Sequence, residues 1–383
     1  MNELNYTILR GGDKIGGNII TVWTDDANIL VEFGKELDNN SSTLTELEKD
    51  IVNTKFDACF ITHYHGDHAA NISELTCPVY MGKKCKAVME TMAAHRQVKL
   101  PKDIRTFDDG EVILINGVRV TPYLCDHSAL DSYMFKFERY PYETILYTGD
   151  WRTNGRKSFG ALLKKLPTDI DVLITENTNA NRAFARKTEE DLEREAVKVF
   201  NSTDKPIFIL QSTTNFDRVV SFYKAANTAK RKFYIDGYQS KLCKSAGEKI
   251  PSADTHTNVE AVVDLTSKSY PAVKHIKKQR TYTSVAKESN YVMLIRQSHI
   301  EHLKKMVENG ANFDGSILVY SMWSGYKETE SMKAFLAEIK KLGINEVTLH
   351  ASGHADAVSI DKLIKHTNPK QIEYVHCENN EEK

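Results

Sequence analysis

The run Thr62-His63-Tyr64-His65-Gly66-Asp67-His68 constrains this chain more than any other feature. Three imidazoles and a carboxylate fall within six residues, directly behind Phe56-Asp57-Ala58-Cys59-Phe60-Ile61, an apolar stretch of buried-strand length. Histidine and carboxylate are ligands that suit zinc, and also manganese or iron. In a tight loop at a strand end, His63 and His65 can reach one ion while Asp67 and His68 turn to a second close by. Solvated surface histidines do not account for this density.

A chain of 383 residues is too long for one core of ordinary size and reads as one large or two medium domains. Its hydrophobic fraction of 41% and charged fraction of 27% are those of a soluble globular protein. No apolar run approaches the roughly 20 residues that span a bilayer. The N-terminus, MNELNYTILRGGDK, lacks the apolar centre of a secretory signal, so a cytoplasmic protein with no membrane partner is expected. The six cysteines are scattered without a CxxC pair, which fits reduced core fillers rather than a disulfide framework or a zinc ribbon. A net charge of -1 points to no partner, but basic residues outnumber acidic ones between Lys224 and Lys305, which suits a polyanion.

The pattern of elements changes along the chain. IITVW and ILVEF flank the turn-rich TDDAN and read as strands; a short helix is expected over 44–53. The glycines at 11, 12, 16 and 17 are turn formers, since no Gly-Lys-Ser/Thr follows to make a phosphate loop. VYMG, EVILI, VRVTPYLC, YMFKFE, TILYTGD and DVLITENT are further strand candidates, and several end in residues fit for chemistry. From Thr188 the character shifts. Thr188 and Asp191 suit a cap ahead of LEREAVKVF. PIFILQ, a helix over 217–229, KFYIDG, a basic irregular stretch, YVMLIR and a helix over 299–309 then alternate as βα units. SILVYS, a helix over 329–341, VTLHASGH, a helix over 357–366 and IEYVHCE close the chain.

The HxHxDH pattern behind a hydrophobic strand resembles the signature of the metallo-β-lactamase superfamily. That family asks next for a lone histidine and a lone aspartate at strand ends. Tyr123-Leu124-Cys125-Asp126-His127-Ser128 offers His127, and Tyr147-Thr148-Gly149-Asp150 offers Asp150. Ile174-Thr175-Glu176-Asn177-Thr178 resembles the acidic motif that opens the β-CASP insertion of nucleic-acid-processing members. Ala351-Ser352-Gly353-His354-Ala355-Asp356 resembles their second motif, and Tyr374-Val375-His376-Cys377-Glu378 their third. Ser212-Thr213-Thr214-Asn215-Phe216-Asp217-Arg218 is more loosely similar to a loop of the ribonuclease J-type nucleases. The resemblance implies an α/β fold: an αββα metallo-β-lactamase sandwich with an inserted α/β β-CASP domain. The domains would be 1–178, the insertion 179–325, and a closing part 326–383. Ribonuclease J-type proteins carry a further C-terminal domain; this chain ends seven residues after His376, so that domain is expected to be missing. Ser321-Met322-Trp323-Ser324-Gly325-Tyr326 matches nothing in that group.

By the same resemblance, His63, His65 and His127 bind one metal, Asp67, His68 and His376 the other, and Asp150 bridges. Two divalent ions are implied, zinc or, as the ligands also allow, manganese. The implied activity is that of a hydrolase: a metal-dependent ribonuclease, exo- or endonucleolytic, cutting phosphodiesters through a hydroxide held between the two metals. Asp67 would orient that nucleophile, His354 would be the general acid, and Glu176 would hold its imidazole. Ser352, Gly353 and Asn215 would contact phosphate. The histidine of the third motif resembles the RNA-acting members, so single-stranded RNA is expected as partner rather than DNA. Phe233, Tyr234, Tyr238, Tyr270, Tyr282 and Tyr291 are expected to be core more than base-stacking platform. The alternative is a small-molecule metallo-hydrolase acting on a thioester, lactone or lactam, against which the insertion and the SGHA motif argue. A homodimer is the commonest arrangement where such a chain assembles.

Overall fold

The computed structural model describes residues 3–37, 43–139, 143–179 and 187–377. The chain forms two compact units, Met1–Ala185 with Gly353–Lys383, and Arg186–Ser352.

In the first unit, β1 (Asn5–Arg10), β2 (Ile19–Trp23), β3 (Asn28–Val31), β4 (Ala58–Phe60), β5 (Val79–Gly82) and β6 (Ile104–Phe107) form one sheet in that order. The second sheet contains β7 (Ile113–Ile115), β8 (Val118–Cys125), β9 (Ser132–Arg139), β10 (Glu143–Tyr147) and β11 (Val172–Glu176), with the closing strand Gln371–Val375 beside β11. Side chains alternate along β9, as the strand period of two requires. Tyr133, Phe135 and Phe137 face the first sheet, where Phe135 and Phe137 meet the Phe60 ring edge-on at 5.5 and 6.2 Å. Met134 turns to the other face, which Leu162, Leu166, Ile360 and Leu363 cover. The helix Lys83–Arg96 packs on β5 and β6. The layers are therefore helix, sheet, sheet, helix. Each phenylalanine buried between the sheets stabilises them by roughly 1.5–3 kcal/mol.

The second unit is built on one seven-stranded sheet. Its strands are β12 (Ile207–Leu210), β13 (Lys232–Asp236), β14 (Val259–Val263), β15 (Gln279–Thr281), β16 (Tyr291–Ile295), β17 (Ile317–Tyr320) and β18 (Asn345–Thr348); the closing strand of the first unit is then β19. The order is β15-β14-β13-β16-β12-β17-β18, and all neighbours run parallel. A parallel sheet covered on both faces needs apolar residues at successive positions, and IFIL and YVMLI are buried throughout. Because β17 and β18 belong to this sheet, the second unit extends to Ser352. Residues 326–352, expected in the closing part of the first unit, lie in the second.

The capping pair expected at residue 188 is present: Asp191 N donates to Thr188 Oγ1, and Thr188 N donates to Asp191 Oδ2, each at 3.0 Å. The basic stretch read as irregular holds the helix Gly237–Ala246 and strands β14 and β15. Asp236 starts that helix by accepting from Gln239 N at 3.0 Å, and Leu242, Cys243 and Ala246 supply a narrow buried stripe that interleaved lysines obscure. Several of those cations are paired: Lys244 with Asp254, Arg280 with Glu288, Arg296 with Asp236. Among the described residues no helix is long and apolar enough to cross a membrane.

One buried group ties the second unit together. Arg218 is wholly buried and donates to both oxygens of Glu189, to the carbonyl and hydroxyl of Ser321, and to Ala351 O at 2.9 Å. Arg218→Met should lower unfolding stability by about 3–5 kcal/mol, because a buried Glu189 loses the guanidinium charge and hydrogen bonds that Arg218 supplies. Urea denaturation of the intact protein measures this, and an unchanged midpoint would refute it.

Candidate metal centre

The histidine-rich loop leaves β4 and is clamped by the residue ahead of β2 and by the segment that follows β3. Asn18 N donates to Asp67 O at 3.0 Å, Phe33 N to His68 O at 2.9 Å and Lys35 N to Gly66 O at 3.1 Å. Gly34 makes this approach possible: a Cβ there would lie 1.7 Å from Asp67 O, so no other residue fits without moving the loop. His127 arrives two residues after β8, and Asp150 three residues after β10. β11 and β19 pair in parallel, with Glu176 opposite Val375, so Glu176 and His376 reach the same sheet end.

Three clusters of potential ligand atoms result, each with all its atoms within 4.8 Å of one another. They are His63, His65 and His127; Asp67, His68, Asp150 and His376; and Asp150, Glu176, His354 and His376. The first two match the expected ligand sets. Asp150 belongs to the second and third clusters, and its Oδ2 lies 3.3 Å from His68 Nε2, 3.7 Å from His376 Nε2 and 3.9 Å from His127 Nε2 of the first.

The hydrogen bonds fit cation binding. His127 Nδ1 donates to Gly353 O at 2.6 Å, so its Nε2 presents a lone pair, 3.2 Å from His65 Nδ1. His63 Nδ1 is held by Thr62 Oγ1 at 2.9 Å, and its buried Nε2 has no hydrogen-bond partner. Asp150 Oδ1 is likewise buried without one. Such atoms cost free energy unless something satisfies them, and imidazole with carboxylate is a donor set suited to zinc or manganese. Burial, with neighbouring histidines, drives the His63 pKa well down and brings that of His65 to about 4, so both nitrogens stay available as neutral ligands. Burial opposes ionisation of Asp150, but His376, His68 and His354 outweigh it and keep the carboxyl ionised.

The third cluster is organised differently. Glu176 Oε1 accepts from Trp151 N at 2.8 Å, while Oε2 accepts from His354 Nδ1 at 2.9 Å and from the Thr178 hydroxyl at 2.6 Å. Burial disfavours a charged His354, yet Glu176 and Asp150 prevail and its pKa is pushed up to about 9. Thr178 Oγ1 also lies 2.8 Å from His376 Nδ1. That contact fixes the ring with Nε2 toward Asp67 Oδ2, 3.2 Å away.

Ser352 and Asn215 belong to the second unit. Asn215 caps the helix Phe216–Thr228, its Oδ1 accepting from Arg218 N at 3.1 Å. Gly353 uses its carbonyl on His127. Cys125 and Cys377 adjoin site residues in sequence, but burial pushes both thiols up, which suits core fillers. Glu378, the last residue of the third motif, lies outside the described residues.

Two groups escaped the sequence reading. Thr178 was visible only as part of a motif. Glu32 breaks the apolar run ILVEF, and that was its signal: a charged residue in a buried strand needs a reason. It adopts φ +64°, is fully buried, accepts from Thr62 N at 3.2 Å, and places Oε1 3.5 Å from His68 Nδ1. Burial raises its pKa against the pull of His68. A carboxylate behind a histidine sets the tautomer and basicity of a metal ligand. Glu32→Gln, which keeps the shape, should weaken metal affinity by about 10–100-fold. Competition against a chromogenic chelator would show this, and an unaltered affinity would remove Glu32 from the centre.

No family model matches the chain. Among curated relatives, Ribonuclease J of Mycoplasma genitalium is 22% identical over 401 residues, covering 96% of this chain and 67% of the relative. The Integrator complex subunit 11 homolog of Dictyostelium discoideum is 24% identical over 427 residues, covering 97% and 56%. RNase aCSPSF2 of Saccharolobus solfataricus is 22% identical over 341 residues, covering 82% and 67%. The chain thus spans 56% to 67% of the length of these relatives. A crystal structure of a protein of unknown function from Enterococcus faecalis V583 superposes with a TM-score of 0.77 at 19% identity, covering 99% of this chain and 95% of that one, a likeness of fold. Over most of its length the chain is thus similar to proteins named as ribonucleases and to an Integrator subunit, and it shares the fold of that crystal structure.

Proposed function

We propose that this protein is a metal-dependent ribonuclease that hydrolyses phosphodiesters of single-stranded RNA. The observation that carries the reading is the gathering of three ligand clusters, with Asp150 common to the second and third and 3.9 Å from His127 of the first, around the His354–Glu176 pair. The names Ribonuclease J and RNase aCSPSF2 among the relatives support RNA as the substrate class.

His63, His65 and His127 would hold one divalent cation, and Asp67, His68 and His376 a second, with Asp150 between them. Such cations, zinc or manganese, lower the pKa of water and offset charge on phosphate oxygens. Asp67 accepts a proton from, and orients, the attacking water. Burial opposes its ionisation, but His68 and His376 hold its carboxyl well below the usual range, so it is an acceptor at neutral pH. His354 donates from Nε2 to the departing oxygen while Glu176 fixes Nδ1, the division of labour of an oriented acid. Ser352, the Gly353 backbone and the Asn215 amide nitrogen are the proposed phosphate contacts. A cytoplasmic location and a homodimer complete the reading.

The test is cleavage of end-labelled single-stranded RNA by protein of measured metal content, beside Asp67→Ala, matched DNA, nitrocefin and a thioester. Metal-dependent RNA cleavage that the variant lacks is expected. A fully metallated protein that hydrolyses only the small substrates would overturn the reading in favour of a small-molecule hydrolase.

A further inference from the structure

The segment 321–326, which no family motif explains, carries the most exposed aromatic pair of the second unit. Trp323 is 44% and Tyr326 42% exposed, and their rings meet edge to face at 5.4 Å and 84°. The six aromatics that sequence reading weighed as base platforms are otherwise placed: Phe233, Tyr234, Tyr238, Tyr282 and Tyr291 are buried and Tyr270 is half-buried.

The turn is built to hold the pair still. Tyr326 N donates to Trp323 O at 3.2 Å, and the Tyr320 hydroxyl donates to the same carbonyl at 3.1 Å. The indole lies against the Gly325 backbone, where a Cβ would fall 2.2 Å from a ring carbon, so a larger residue there would displace the ring. The placement is equally specific. β17 and β18 are parallel neighbours with Tyr320 opposite Thr348, and Ser321 Oγ donates to Leu349 O. The aromatic turn and the segment 349–352 therefore leave one sheet edge side by side. The latter is the segment that continues into Gly353 and His354.

We propose that Trp323 and Tyr326 form a stacking site for an unpaired nucleobase of an RNA chain whose backbone passes Ser352 of the same unit. This rests on the ribonuclease reading. A flat ring held over a glycine matches a planar ligand, and every base has a π-face to offer. A protein partner fits less well. Exposed Ser324, Glu328 and Thr329 neighbour the pair in sequence, whereas a stable interface buries about 800 Å² on each partner.

The experiment uses the full chain with Trp23→Phe, which leaves Trp323 and the buried Trp151 as emitters. Stopped-flow mixing with a short oligoadenylate, and with an abasic oligomer of the same length, reads fluorescence before turnover. The oligoadenylate should quench the emission and the abasic oligomer should not. Trp323→Leu should weaken oligoadenylate binding by about 5–100-fold, the span of base–aromatic stacking, and raise KM while kcat holds. Trp323→Phe should retain most of the affinity. Wild-type affinity in Trp323→Leu would overturn the inference alone. So would a dimer that this variant dissociates while RNA binding stays unchanged, which would mark a self-association surface. No RNA binding by the unmodified protein would overturn the ribonuclease reading, and this inference with it.

Discussion

Asp150→Ala is expected to leave the purified protein with well under one metal ion per chain and no detectable cleavage. Among the described residues, Asp150 is the carboxylate within 4 Å of imidazoles from four segments: His68, His127, His354 and His376. Without it, the buried imidazoles lose the negative charge that would offset a bound cation at their centre. The same carboxylate, ahead of Asp67 and Glu32, overcomes burial to hold the His68 pKa well above its ordinary value. Elemental analysis after gel filtration is the measurement. A variant with the native metal content would show that the two clusters bind independently and that Asp150 bridges nothing.

His354→Ala should behave oppositely, keeping its metals while kcat falls by about 10²–10⁴-fold, the usual worth of a positioned acid. The imidazole works in its protonated form, so the rate should decline as pH rises through the His354 pKa. In Glu176→Gln that decline should move to lower pH, because the carboxylate that holds the proton on the ring is gone. A substrate with a sulfur leaving group needs no proton at departure. On that substrate His354→Ala should approach the native rate. If the variant is equally slow on both substrates, or has lost metal, His354 is a ligand in the third cluster rather than the acid.

The centre was legible in sequence to the extent that its ligands are contiguous or end strands. The run from His63 to His68 declares itself because one loop supplies four potential ligands, and His127, Asp150 and His376 follow strands whose apolar patterns are plain. Glu32 was not legible. Its role depends on a positive φ that swings one carboxylate behind His68, and no spacing rule reports a backbone angle. The helix Lys83–Arg96 was missed because its buried face is only Cys85, Val88, Met89 and Ala93, too sparse to impose a period on the polar residues between them. The unit boundary was misplaced because β18 is a mostly exposed edge strand of weak apolar pattern, and only its pairing with β17 assigns it. Motifs report chemistry well, but a residue held in place by tertiary geometry is invisible until the geometry is known.

The Arg218 clasp bears on the order in which the chain assembles. β11 and β19 are adjacent strands, yet Glu176 and Val375 are separated by the whole second unit. Closing that span as an unstructured loop of about 200 residues is slow and entropically costly. Once Glu189 and Ala351 share one guanidinium, the loop that remains is about 40 residues long, and the cost of closure falls by about 1.5 kcal/mol. A second unit that folds early thus acts as a splint, delivering β19, and His376 at its end, to the sheet that waits for it.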